Sequence, residues 1–126
     1  MKFMIQAGAL LGTLAVALGA FGAHALKATL EASGRADTFE TAVKYQFYHA
    51  LALVLIGVLL SRADGDAIKW LNWSGYAFAV GVLIFSGSLY TICFTGITKF
   101  GAVAPIGGVL MIVGWVLLFL AAGKLS

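Results

Sequence analysis

The sequence predicts an all-α integral membrane protein, a four-helix bundle with a short interfacial helical segment between spans one and two. Three observations predict it. The 126 residues are 62% hydrophobic and only 10% charged, whereas a soluble domain is about 45–50% apolar and about 25% charged. Mean hydropathy is +1.02. The few charges fall in clumps that leave four uncharged runs, Phe3–Leu26, Tyr45–Ser61, Trp70–Thr98 and Phe100–Gly123. A membrane-crossing helix needs about 17–25 predominantly apolar residues. Four such spans use most of the chain, so residues 1–126 read as a single four-span domain, with spans at about 3–25, 45–61, 70–93 and 104–123.

Helices are favoured over a barrel because transmembrane strands alternate apolar and polar residues. Ala50–Leu60 is continuously apolar, and an uninterrupted helix satisfies every backbone N–H and C=O within the segment. The net charge of +3 belongs to loops and not to a basic face, so no nucleic-acid partner is expected. The partner expected first is the lipid bilayer itself.

Span one runs from Phe3 to Ala25. Lys2, the apolar run and Ala23-His24-Ala25 also resemble a secretory signal with a small-x-small cleavage site. The run is glycine-rich, and its length suits a full span better than a signal core of about 7–15 residues. Helix is expected to continue along the interface to Ser33, with Gly34 as the stop. Asp37-Thr38-Phe39-Glu40 has the spacing of a capping box, with Asp37 at the N-cap. The second helix then spans Thr38–Ser61, entering the membrane near Tyr45, with Glu40 and Lys44 paired at i, i+4. Asp64-Gly65 marks a turn. Span three begins at Trp70 and ends near Cys93, Gly96 and Gly101 mark a loop, and Pro105 suits the first turn of span four. Cys93 is the single cysteine, which excludes an internal disulfide and a cysteine-built metal cage. The two halves do not align, so an inverted-repeat transporter is not favoured.

Lys2, Arg62, Lys69 and Lys124 fall on the face with the termini, and Lys27, Arg35, Lys44 and Lys99 on the other. This balance gives no positive-inside answer. The shorter loop and its two flanking cations favour cytoplasmic termini. Trp70 and Trp73 suit an aromatic belt on that face.

Association between helices in lipid depends on close approach of small residues. Gly8, Gly12, Ala15, Gly19 and Gly22 form one face of span one. Gly75, Ala79 and Ser86 form a row on span three, and Gly107, Gly114 and Ala121 recur at every seventh residue of span four. These rows read as helix contacts, either within one chain or between copies in a homo-oligomer.

Polar residues collect on the face opposite the termini. His24 and Lys27 end span one. Tyr45, Gln46, Tyr48 and His49 open span two, and Ser86 and Tyr90 close span three. These eight residues are the candidate binding cluster. One reading is a network that ties helix ends together, in which His49 and Tyr90 are expected to share hydrogen bonds. The other is a site for a lipophilic ligand. No metal is expected, because His24 and His49 lack the further ligands that a metal site requires. No cofactor is required either; haem needs only two axial histidines, so haem and quinone stay open. No acidic residue falls inside a span, which disfavours proton-coupled transport. No nucleophile–base pair, phosphate loop or paired carboxylate appears, so no catalytic residue is assigned.

Four ordered segments carry a resemblance. They are Gly19–Leu26, Tyr45–Leu53, Phe85–Tyr90, and Pro105–Gly108 with Gly114-Trp115. Together they resemble the YgdD-like family of small bacterial inner-membrane proteins, the domain of unknown function four-hundred-and-twenty-three. The small eukaryotic transmembrane protein two-hundred-and-fifty-six is similar. The resemblance implies a four-helix protein of the bacterial inner (plasma) membrane and brings no activity, substrate or cofactor. The function expected is that of a non-enzymatic accessory, assembly or self-associating module, which binds itself or another membrane protein. The alternative is a binding or permeation protein whose quinone, lipid or haem site lies on the face with both histidines.

Overall fold

The protein is described by a computed structural model covering residues 2–125. Its helices are α1 (Lys2–Ala23), α2 (Lys27–Ser33), α3 (Ala36–Leu60), α4 (Asp66–Thr95) and α5 (Ala104–Ala122), with a 3₁₀ segment at Thr98–Ala102 before α5. Among the described residues, four helices are long and apolar enough to cross a membrane: α1, α3, α4, and α5 together with its 3₁₀ lead-in. This is the all-α membrane bundle that the charge-free runs predict.

The connections follow from a few residues. The chain turns at His24–Leu26, so α2 is separate from α1 and does not continue it. Gly34 ends α2 with φ 71°, and its N–H donates to the Glu31 carbonyl. A side chain at that φ is strained, and glycine is not. Arg35 N–H then donates to the Leu30 carbonyl at 2.9 Å, closing the end of α2, and α3 starts at the next residue.

The expected capping box does not form. Arg35 occupies the N-cap position without a side-chain cap, and Asp37 lies one step inside the first turn. There its charge still favours the positive end of the helix dipole. The early start makes α3 longer than its apolar run, so His49 lies thirteen residues beyond Ala36, about 20 Å along the helix axis. It is therefore near the middle of α3, one turn past Tyr45. Helix α4 also overruns the expected span at both ends, from Gly65 (φ 58°) to Gly96 (φ 73°). Pro105 lies in the first turn of α5.

The spans alternate in direction, and each packs on the next: α1 on α3, α3 on α4, α4 on α5. Further side-chain contacts close two triangles. Phe3 meets Tyr76 with ring centroids 6.1 Å apart, joining α1 to α4, and Trp115 meets His49, joining α5 to α3. Helices α3 and α4 thus form a shared centre, and α1 and α5 flank it. Burial agrees: 39% and 33% of the apolar windows of α3 and α4 are buried, against 17% and 22% for α1 and the α5 segment. The apolar core of Met4, Leu53, Ile56, Leu71 and Phe78 lies where α1, α3 and α4 meet. On the terminal face, Trp70 and Trp73 lie edge to face, 5.4 Å apart. The ammonium groups of Lys69 and Lys124 lie over their rings at 5.2 and 5.4 Å.

Glycine sets the distances between helices. A Cβ at Gly8 would lie 2.6 Å from the Ala50 carbonyl oxygen of α3, and one at Gly22 would lie 2.5 Å from the Phe39 ring. Gly75 faces Met4, and Gly114 faces the Phe78 ring at 2.6 Å. The tightest backbone approach pairs Gly107 with Gly81, which the row Gly75-Ala79-Ser86 does not include. A Cβ at Gly107 would lie 2.5 Å from both the Gly81 carbonyl oxygen and the Phe85 nitrogen. Gly12 and Gly19 are looser, with nearest atoms at 3.8 and 3.4 Å.

An even number of spans returns both termini to one side. Cysteine labelling of intact cells, with Lys2→Cys and Lys124→Cys in a Cys93→Ala background, is expected to give the same accessibility at both ends. Opposite accessibility would refute the four-span topology.

Candidate functional site

The cluster on the face opposite the termini is assembled from interhelical hydrogen bonds, and it divides in two. The first half is centred on Gln46, which is 4% exposed. Gln46 Nε2 donates to the Leu11 carbonyl of α1 at 2.8 Å. Its Oε1 accepts from the Tyr90 hydroxyl of α4 at 2.6 Å. One amide therefore joins three spans with both its ends. One turn earlier on α3, the Ala42 carbonyl accepts from Ser86 Oγ at 2.8 Å. Phe39 lies edge-on to the Tyr90 ring at 5.4 Å.

The second half is centred on His49, also 4% exposed. Trp115 Nε1 lies 3.1 Å from His49 Nε2, and the indole N–H can only donate. Nε2 is therefore the acceptor, and the proton belongs on Nδ1. That nitrogen lies 2.7 Å from the Tyr45 carbonyl one turn back, which accepts from it. The ring is thus the neutral Nδ1–H tautomer with both nitrogens engaged, packed against Phe78 at 5.5 Å.

The expected His49–Tyr90 bond is absent. Although three residues apart on one face of α3, Gln46 meets α1 and α4, whereas His49 meets α5. Gln46 takes the place beside Tyr90 expected for His49, and Trp115 supplies the partner of His49. Trp115 was legible only as part of the Gly114-Trp115 segment. Ser74, whose Oγ donates to the Gly114 carbonyl at 2.7 Å, was not singled out at all.

Of the remaining cluster residues, Tyr45 stays with His49, its ring stacked on the imidazole at 6.2 Å, whereas His24 and Lys27 lie apart. His24 is exposed in the turn after α1, and Lys27 is exposed at the start of α2. Both lie at the level where α3 begins, well away from His49 along the helix axis. Tyr45 and Tyr48 are 39% and 50% exposed and pack on each other at 5.7 Å.

Two shallow grooves adjoin the two halves. One, of about 330 Å³ between α3 and α5, is lined by Tyr45, His49, Met111 and Trp115. The other, of about 220 Å³ between α1 and α4, is lined by Leu11, Leu14, Gln46 and Tyr90. Among the described residues, every buried side-chain nitrogen and oxygen has a hydrogen-bond partner. Among the same residues, no group of three or more His, Cys, Asp or Glu side chains is placed to hold a metal ion. The polar atoms of Gln46, His49, Ser86 and Tyr90 thus hold helices together.

Comparison with known proteins places the chain. The profile of the family described as "Protein of unknown function (DUF423)" matches residues 18–108. A UPF0382 membrane protein of Staphylococcus aureus is 42% identical over 100% of this chain and 99% of its own length. A relative of the same description from Staphylococcus haemolyticus is 43% identical over 98% of each chain. The UPF0382 membrane protein YwdK of Bacillus subtilis is 39% identical, again over 98% of each. No solved structure matches the chain. With four lipid-length helices and full-length relatives called membrane proteins, the chain is an integral membrane protein of the small bacterial DUF423 family.

Proposed function

We propose that the protein is a non-enzymatic membrane module that acts by associating with a second copy of itself or with another membrane polypeptide, in the bacterial inner membrane. The observation that carries this reading is the complete internal use of the buried polar groups. Gln46, His49, Ser74, Ser86 and Tyr90 all bond to neighbouring helices, and catalysis or ion passage needs groups left free to react or coordinate. Such a bundle offers its outer surface for work. The two flanks differ there. Helix α5 exposes bulky Ile112, Val116 and Phe119, which suit lipid. Helix α1 also exposes bulky Leu10, Leu14 and Val16, but beside them runs a row of small residues, Ala9, Thr13, Ala17 and Ala20, whose size permits close approach of another helix.

Disulfide cross-linking in native membranes tests the reading. Ala17→Cys in a Cys93→Ala background is expected to give a defined cross-linked species under mild oxidation, and Val116→Cys none. Monomer alone at Ala17→Cys, together with a monomeric mass and no stoichiometric partner in native mass spectrometry, would overturn it.

A further inference from the structure

We infer that the junction of α1, α2 and α3 is a binding site for one phospholipid with an amine headgroup, a phosphoethanolamine lipid of the bilayer. This goes beyond the association proposed above and does not depend on it. The junction encloses a cavity of about 420 Å³, larger than either groove beside the polar cluster. Its back wall is rigid: Leu30 and Phe39 line it and are 4% and 3% exposed. Gly19 and Gly22 form the α1 side; the missing side chain at Gly22 admits the Phe39 ring, and the one at Gly19 leaves room beside Val43. The mouth carries Lys27, Glu31 and Glu40.

A second cavity of about 290 Å³ continues it along the α1–α3 groove, and Val43 lines both. The character changes along this path. The second is an open groove bounded by Ala15, Val16, Phe47 and Tyr48, with Lys44 also lining it, and its surface is almost wholly apolar. From Ala23 to Ala15 the path descends about 12 Å along α1 toward the bilayer centre. A charged compartment at the membrane surface that runs into an open apolar groove along the span suits a lipid headgroup with one acyl chain laid along the groove.

The charges select the headgroup. Among the described residues the one ion pair is Glu40–Lys44, at 2.9 Å. Lys27 and Glu31 are therefore left at the mouth without ionic partners. Lys27 supplies a cation for phosphate, as basic groups at the membrane surface do, and Glu31 accepts hydrogen bonds from a primary ammonium. A purely anionic headgroup such as phosphatidylglycerol satisfies Lys27 but faces the Glu31 carboxylate.

The test uses the full-length protein in detergent, with lipid retention read by native mass spectrometry and stability by melting temperature. Added dioleoyl phosphatidylethanolamine is expected to be retained at one per protein and to raise the melting temperature more than dioleoyl phosphatidylglycerol does. Lys27→Ala and Glu31→Gln, both on the exposed face of α2, should each cut phosphatidylethanolamine retention about tenfold, the scale of one charge-assisted hydrogen bond. Their lipid-free melting should match the parent. Gly19→Leu, which fills the channel beside Val43, should abolish retention; if that variant does not fold, the two charge variants decide. Equal effects of the two lipids, parental retention in the charge variants, or an equal shift with soluble phosphoethanolamine would each overturn the proposal.

Discussion

Replacing Gly107 with leucine is expected to prevent the bundle from forming, and even Gly107→Ala should destabilise it measurably. A Cβ at this position would lie 2.5 Å from the Gly81 carbonyl oxygen and 2.5 Å from the Phe85 nitrogen. Both are backbone atoms of α4, so no side-chain rotation relieves the clash, and α5 must move as a body. Overpacking a tight interior costs about 1–3 kcal/mol where side chains can adjust, and here they cannot. Gly12→Ala is the matched control. Its new methyl carbon meets nothing nearer than the Ala50 Cβ at 3.8 Å, so its effect should stay within about 0.5 kcal/mol. Unfolding titrations in mixed micelles followed by far-UV circular dichroism compare the variants. A parental midpoint for Gly107→Ala would refute the close α4–α5 approach.

The next largest effect belongs to Gln46. Gln46→Leu should remove the hydrogen bond to the Leu11 carbonyl of α1 and leave the Tyr90 hydroxyl without its partner. Hydrogen bonds between membrane helices are worth about 0.6 kcal/mol on average and reach about 1.7. A side chain that makes two of them should therefore cost about 1–2 kcal/mol when removed. A double-mutant cycle of Gln46→Leu with Tyr90→Phe should be non-additive by about 0.6–1.7 kcal/mol. The cycle of His49→Ala with Tyr90→Phe should be additive within about 0.5 kcal/mol, because those residues belong to separate halves of the cluster. Coupling in the second cycle and none in the first would reverse the assignment of partners.

The spans were legible because lipid imposes one requirement, an unbroken apolar run, and the chain meets it four times. The turns at Gly34, Gly65 and Gly96 were legible because each of these glycines sits at a point where a helix begins or ends. The early start of α3 was less so. Asp37 has the spacing of a cap, but α3 begins upstream of it, directly after the Arg35–Leu30 hydrogen bond that closes α2. At the polar cluster, the residue types and the membrane face could be read, whereas the partners could not. Gln46 and His49 are three residues apart, and which neighbour each meets is decided by helix rotation. That rotation is set by distant contacts such as Gly8 against Ala50 and Gly107 against Gly81. Hydropathy carries no information about it, so Trp115 could not be matched to His49 in advance.

Because α3 and α4 form the centre and the flanking helices pack on the neighbour next in sequence, the bundle suits assembly during synthesis. The first span enters the bilayer alone, with Gly8 and Gly22 facing lipid. The next span brings Ala50 and Phe39 to them, and this pair is already joined when α4 arrives with Tyr90 to complete the Gln46 bonds. The last span needs only α4 for its glycine contact and His49 for its indole. Each newly made helix thus meets a surface that is already in place, and no large packing face waits for a helix still to be translated two steps later. Contacts between sequence neighbours keep the chain entropy lost at each step small, so the order of translation can also serve as the order of folding.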